Sequence, residues 1–367
     1  NLEYYLYTFI HCDSNWEESE IIQTEYLDGF PENYIENYNF SFNTLQDYIH
    51  YDLIFPNENI KLLKSGNYII LVYDEDMNPI ITKRFIVYEE IVRIDSNLKR
   101  GTFVKDFYTK HEIDFKVNLN NLAIQNPYEE IKIIIQQNDN WNNVKKNIRP
   151  SFISKNILEY DYEEEISFNS GNEFRHFEIS NLEFFSENID SIYTKEIDKE
   201  NSTLNLESCR SKFNHENILF ASLKKDYSRK KNSYFSKYDL NGKMQIKNSR
   251  SNYPEYESEY LTVDFLLKVD SKLNSEVYIF GAISNWNIDE KYKMHYDSNS
   301  KTYQASLFLK QGYYDYQYLT NGINRNKIEG NYFETKNEYT IYVYYKPIWS
   351  RYEKIIGINK ITSNYLD

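Results

Sequence analysis

Residues 126–179 read NPYEEIKIIIQQNDNWNNVKKNIRPSFISKNILEYDYEEEISFNSGNEFRHFEI, and their punctuation decides the fold class. Asn126-Pro127 opens the stretch as a turn. Ile131, Ile133 and Ile135 then alternate with Lys132 and Ile134 in a strand-like run, and Gln136 to Trp141 continues as a polar strand or turn. Pro150 and Gly171-Asn172 punctuate the remaining residues. Short strand-forming runs separated by turn and breaker residues are the grammar of hairpins, and nothing in the stretch carries a catalytic signature.

The same grammar extends in both directions. Residues 1–90 hold strand patterns at Tyr5 to His11, Asn67 to Asp74 and Lys83 to Glu89. Turns at Asp28-Gly29, Ser65-Gly66-Asn67 and Met77-Asn78-Pro79 separate them, which suits a first β-sandwich. Residues 91–194 form a second, with Phe115, Val117 and Leu119 alternating cleanly against Lys116 and Asn118. Residues 195–254 are polar and weakly patterned. They read as a linking segment with one hairpin at Asn241-Gly242. Residues 255–350 carry strands at Leu261 to Val269, Val277 to Gly281, Tyr303 to Leu309, Tyr313 to Leu319 and Tyr339 to Tyr345, the spacing of an early-set or immunoglobulin-like sandwich. Residues 351–367 read as a C-terminal tail. The predicted class is all-β, with tandem β-sandwiches.

Composition supports this and narrows function. Of 367 residues, 37 are Tyr and 22 Phe, which favours strands. The length allows two or three domains with cores of their own. The net charge of −14, from 42 basic and 56 acidic residues, repels phosphate backbones and argues against nucleic acid as a partner. The basic cluster Lys224-Lys225 and Arg229-Lys230-Lys231 reads as a solvated loop or strand edge. Apolar runs such as Tyr68 to Tyr73 fall far short of the roughly 20 residues of a membrane helix. The chain opens at Asn1, without Met and inside an aromatic strand pattern, and so reads as lacking its natural start.

A search for chemistry is largely negative. The ten glycines have no phosphate-loop or dinucleotide spacing, and there is no G-x-S-x-G. No two of the six histidines stand at ligand-pair spacing. His11-Cys12-Asp13 is the densest set of metal-ligating types, but adjacent strand residues point to opposite faces and do not readily share an ion. His50-Tyr51-Asp52 is a second set that a sheet could bring near the first. Cys12 and Cys209 are either two buried thiols or a single bridge. Glu163-Glu164-Glu165 reads as a solvated loop or edge protection. Trp16, Trp141 and Trp286 each follow an Asn-containing turn. Such rings either plug the end of a sandwich core or stack on sugars. Phe280 to Trp286 is similar to the F-G-x-F-N-x-W turn of glycogen-binding early-set domains, departing from it at Ile283 and Ser284. No catalytic, cofactor-binding or metal-ligating residue is assigned, and no cofactor is expected.

Three sets of residues together resemble one family. They are His11 to Trp16 with Tyr48 to Tyr51; Asn126-Pro127 through Trp141 with Gly171 to Arg175; and Val277 to Gly281 with Leu309 to Tyr314 and Glu329-Gly330. In this order they resemble the plug protein of the Bacteroidota type IX secretion system, over essentially the whole chain. The resemblance implies a non-enzymatic periplasmic protein. It would seal the periplasmic mouth of the giant outer-membrane β-barrel translocon called SprA and reach the membrane only through that partner. Trp141 and Arg175 are then expected to hold the second sandwich together rather than touch the barrel. The competing readings are a carbohydrate-binding sandwich module centred on Trp286 and, behind it, a sandwich glycosidase.

Overall fold

A computed structural model describes residues 2–363 except 121, 185, 198–215, 231, 323 and 324. It is all-β: short strands build stacked sheets, and its α-helices are single turns among the described residues. The chain divides into two compact units. One takes residues 1–38, 51–171 and 331–367, the other residues 39–50 and 172–330.

In the first unit the strand Ile131–Gln137 explains the opening stretch. Ile133 and Ile135 enter one core with Ile113, Phe115, Val117, Ile341 and Val343, while Ile134 enters another with Tyr342, Tyr344 and Ile355. Burial on both faces is why the run is nearly continuous in Ile rather than alternating. A two-residue turn at Asn138-Asp139, with φ of 54° at both, leads into Asn140–Lys145. Positive φ at both turn positions matches the twist of a tight hairpin. On its other side Ile131–Gln137 pairs with Glu338–Tyr345, register Ile131 to Tyr345, and that strand pairs in turn with Lys354–Thr362. Asn126-Pro127, expected as a turn, begins the one-turn helix Pro127–Glu130. The Asn126 side chain accepts the Tyr128 N–H at 3.2 Å.

Facing this central sheet across the larger core is a second, built on Lys110–Asn118 and paired with Arg93–Arg100 on one side and Ile157–Tyr160 and Ser167–Asn169 on the other. A third sheet, ordered Asn33–Tyr34, Tyr5–Cys12, Gly66–Asp74, Pro79–Val87, lies against the opposite face through Ile86. Ties run between these layers. Tyr344 donates to Asn67 Oδ1 at 2.8 Å, and the buried Glu353 accepts the Ser14 N–H at 2.7 Å and pairs with Lys132.

The second unit is a two-sheet sandwich. Tyr260–Lys268 buries Leu261, Val263, Phe265 and Leu267 completely and turns the residues between them outward. It pairs with Thr302–Lys310 along its full length and in parallel with Glu216–Leu223. The opposite sheet centres on Gly312–Thr320, flanked by Arg175–Glu178, Met244–Ile246 and Val277–Phe280. Phe177 and Tyr316 meet Phe265 in the core between them, and Tyr314 stacks on Phe177. Residues 39–50 group with this unit: the Gln46 N–H donates to Glu259 at 3.1 Å and Tyr48 donates to the Ser258 carbonyl at 2.8 Å.

Two differences from the sequence reading have physical causes. Residues 351–367, read as a tail, contain the strand Lys354–Thr362, whose Ile355 and Ile356 are fully buried; a short charged lead-in hides it in the sequence. Residues 195–254, read as a link with one hairpin, supply Glu216–Leu223 to one sheet of the second unit and Met244–Ile246 to the other. At Gln311-Gly312 the strands on either side belong to opposite sheets, so the chain turns a corner there. A Cβ on Gly312 would lie 2.4 Å from the Gln245 carbonyl oxygen, so this corner needs glycine.

Candidate functional site

A buried ionic lattice organises the second unit. Arg175 donates to Asp226 at 2.7 Å, to Glu329 at 2.9 Å and to the Tyr227 carbonyl at 2.7 Å. Glu329 also receives Arg229 at 2.7 Å and the Tyr318 backbone N–H at 3.0 Å. Tyr316 and Tyr318 donate to Asp226 at 2.7 and 2.8 Å. Burial alone pushes the Glu329 carboxyl up, but the Arg175 and Arg229 charges overcome this and hold it down at about 2. For Arg175, burial opposes the charge, while Glu329 and Asp226 more than restore it. Arg229, read as part of a solvated basic cluster, is thus structural; Lys231 of that cluster lies outside the described residues.

What the lattice holds is a loop with little regular structure. After Asp226–Tyr227 the chain runs to Met244–Ile246 without a described strand, pinned by Asp226, Arg229 and the bond from Tyr234 to Glu173. From this anchored loop Phe235 and Tyr238 project, each 78% exposed. In the first unit Trp349, 84% exposed, stands with Ile348 in the connection between Glu338–Tyr345 and Lys354–Thr362. Sequence reasoning missed all three. The available signal was Pro347-Ile348-Trp349 itself, an apolar run in a connection where polar turn residues are the norm. Large aromatics left in water on anchored supports are candidates for contact surfaces.

A second buried cluster gathers at the Asn241-Gly242 turn. Asp315 accepts the Gly242 N–H at 3.1 Å and also the Leu240 N–H; Asp239 accepts the Asn241 N–H at 2.9 Å and the Phe174 N–H. Burial and then the neighbouring Asp239 push the Asp315 carboxyl up to about 7; burial likewise raises Asp239.

The sequence candidates fall elsewhere. His11 is fully buried, hydrogen-bonding Ser19 Oγ at 2.7 Å and the Ser65 carbonyl at 3.1 Å, with its proton affinity lowered by burial. The adjacent Cys12 thiol is buried and pushed up to about 11, which makes it inert. Cys209 and His215 lie outside the described residues. Tyr51 packs against Tyr5, not His11, with ring centroids 5.0 Å apart. Glu163 to Glu165 sit exposed in a turn. Among the described residues, Glu112, Asp114 and Asp161 converge as a cation would require. The Lys99 ammonium already sits among them, 3.0, 2.5 and 3.8 Å away.

Trp16, Trp141 and Trp286 pack on protein. Trp16 meets Trp141 edge-on at 4.8 Å beneath the Arg84 guanidinium, and Trp141 stacks on Tyr342 at 5.2 Å. Trp286, at φ 60°, stands edge-on to Phe174 and Phe280, and a Cβ on Gly242 would touch its ring at 2.5 Å. Trp141 and Arg175 are both engaged internally, but in different units.

A family model described as "Type 9 secretion system plug protein 1st domain" matches residues 1–89. The chain belongs to the type IX secretion system plug protein family. This plug-family chain is also similar to a hypothetical protein from Parabacteroides merdae ATCC 43184 whose crystal structure is known. The two are 32% identical, with a TM-score of 0.88 over 99% of this chain and 88% of that one. No curated protein matches. Family membership associates the plug chain with a secretion machine rather than with any enzyme family. Among the described residues no helix is long and apolar enough to cross a membrane.

Proposed function

We propose that this chain is a non-enzymatic plug that seals the periplasmic end of the type IX translocon pore, a giant outer-membrane β-barrel of the SprA type. It works in the periplasm and meets the membrane only through that barrel. The observation that carries this reading is the family match over residues 1–89. The physical design supports it. A plug must resist deformation, and close-packed sandwiches pinned by a buried ionic lattice supply stiff bulk. It must also release, which favours exposed aromatics on a largely acidic surface over one extensive apolar face.

The test is co-purification from detergent-solubilised outer membrane, together with a permeability assay. The wild-type chain is expected to come out with the barrel, and its loss should make the outer membrane leak only where the translocon is present. Phe235→Ala with Tyr238→Ala, and separately Trp349→Ala, should weaken recovery about tenfold or more, as for residues central to an interface. Because these side chains are exposed, thermal unfolding should stay put. Failure of the wild type to associate with any barrel would remove the reading. The rival sugar-binding reading depended on a flat Trp286, and its edge-on packing speaks against that; titration with soluble glucans should show no saturable binding.

A further inference from the structure

The first unit carries a surface pocket of about 440 Å³ lined by aromatic and acidic residues. Four of its lining residues are tyrosines: Tyr4, Tyr34, Tyr38 and Tyr51. Three more are Glu3, Glu36 and Glu75, and the other two, Leu2 and Ile35, are apolar, so no basic side chain lines it. The volume lies at the lower end of the roughly 300–1,000 Å³ typical of ligand pockets.

Its walls are built, not incidental. Tyr51 donates to the Glu3 carbonyl at 2.7 Å and packs edge-on against Tyr5, whose hydroxyl donates to the Glu3 carboxylate at 2.6 Å. Tyr38 meets Tyr51 at 45° with centroids 6.1 Å apart, a splayed pair rather than a closed stack. Tyr34 lies in Asn33–Tyr34, the strand at which its sheet's order ends.

We propose that this pocket binds an arginine side chain presented by an extended segment of a partner polypeptide. Tyrosine faces attract a cation through the ring quadrupole. Carboxylates accept the guanidinium fork in pairs, which a lysine ammonium cannot match. With three acids and no base on the walls, charge complementarity selects a cation. The adjoining edge strand leaves backbone groups to which an extended peptide can pair, and this selects a polypeptide over a free small cation. The proposal does not depend on the plug reading, and its test involves no translocon.

The full chain, isotopically labelled, would be titrated with the peptide Thr-Val-Arg-Val-Thr and followed by two-dimensional amide NMR. Saturable shifts at residues 34–36 and 75 are expected, with affinity of roughly millimolar order. Replacing the arginine by citrulline, its neutral isostere, should weaken binding about tenfold or more. Glu36→Gln with Glu75→Gln should do the same, as should Tyr34→Leu; all three positions are exposed and thermal unfolding should not move. Equal binding of the citrulline peptide, unchanged affinity in either variant, or no saturable shift would overturn the proposal. So would full displacement of the peptide by choline at matching concentration, which would reassign the pocket to small cations.

Discussion

Asp315 and Glu329 stand in the same sandwich and respond to acid in opposite directions. Glu329 is held low, so its contribution is present above the ordinary glutamate range and is lost as pH falls toward about 2. Asp315 is raised from 3.8 to about 7. Between those values the folded protein keeps a proton that the unfolded chain has released, so stability falls as pH rises through that window, by up to about 1.4 kcal/mol per unit. Asp315→Asn keeps an acceptor for the Leu240 and Gly242 N–H groups and removes the titration. Urea unfolding at pH 5 and pH 8 should show the variant gaining on the wild type by a few kcal/mol at the higher pH. An identical difference at both pH values would contradict the placement of that proton.

At the scale of single elements, the corner at Gln311-Gly312 is the most exacting. Gly312→Ala puts a methyl group against the Gln245 carbonyl, and the strand Met244–Ile246 must shift to admit it. A loss of about 1–3 kcal/mol in denaturant unfolding is expected, typical of overpacking; an unmoved midpoint would show that the corner has slack. This corner also marks where the sequence is legible and where it stops. The alternation in Tyr303 to Leu309 and Tyr313 to Leu319 announces two strands and a turn. Period-2 patterning says which face is buried but not which sheet a strand joins, so the corner itself is not legible. The sequence leaves Gln136 to Trp141 as either a polar strand or a turn, and the turn at Asn138-Asp139 is what the structure adds. The pairing of Ile131–Gln137 with Glu338–Tyr345 was not legible, because nothing within a strand names a partner so far along the chain. The same limit hid the site: Phe235 and Tyr238 are aromatic like the twenty buried Phe and Tyr residues among those described, and only burial tells them apart.

At the scale of the molecule, the first unit is closed by the strand Lys354–Thr362. Ending the protein after Ser350 removes Lys354–Thr362 and with it Ile355 and Ile356, each worth about 2–5 kcal/mol by analogy with large-to-small core substitutions. It also bares Glu338–Tyr345 as a long apolar edge, an invitation to aggregate. Such a truncation should lose cooperative thermal unfolding and bind hydrophobic dyes, and a soluble product melting at the wild-type temperature would speak against this. The lattice around Arg175 repeats the theme in the second unit, since its partners Asp226, Arg229 and Glu329 all follow it in the chain. A chain emerging from the ribosome therefore cannot finish either unit early. Arg175 waits for Glu329, and Ile131 to Gln137 waits for a strand made later still. Until those partners are present, neither half can complete its core.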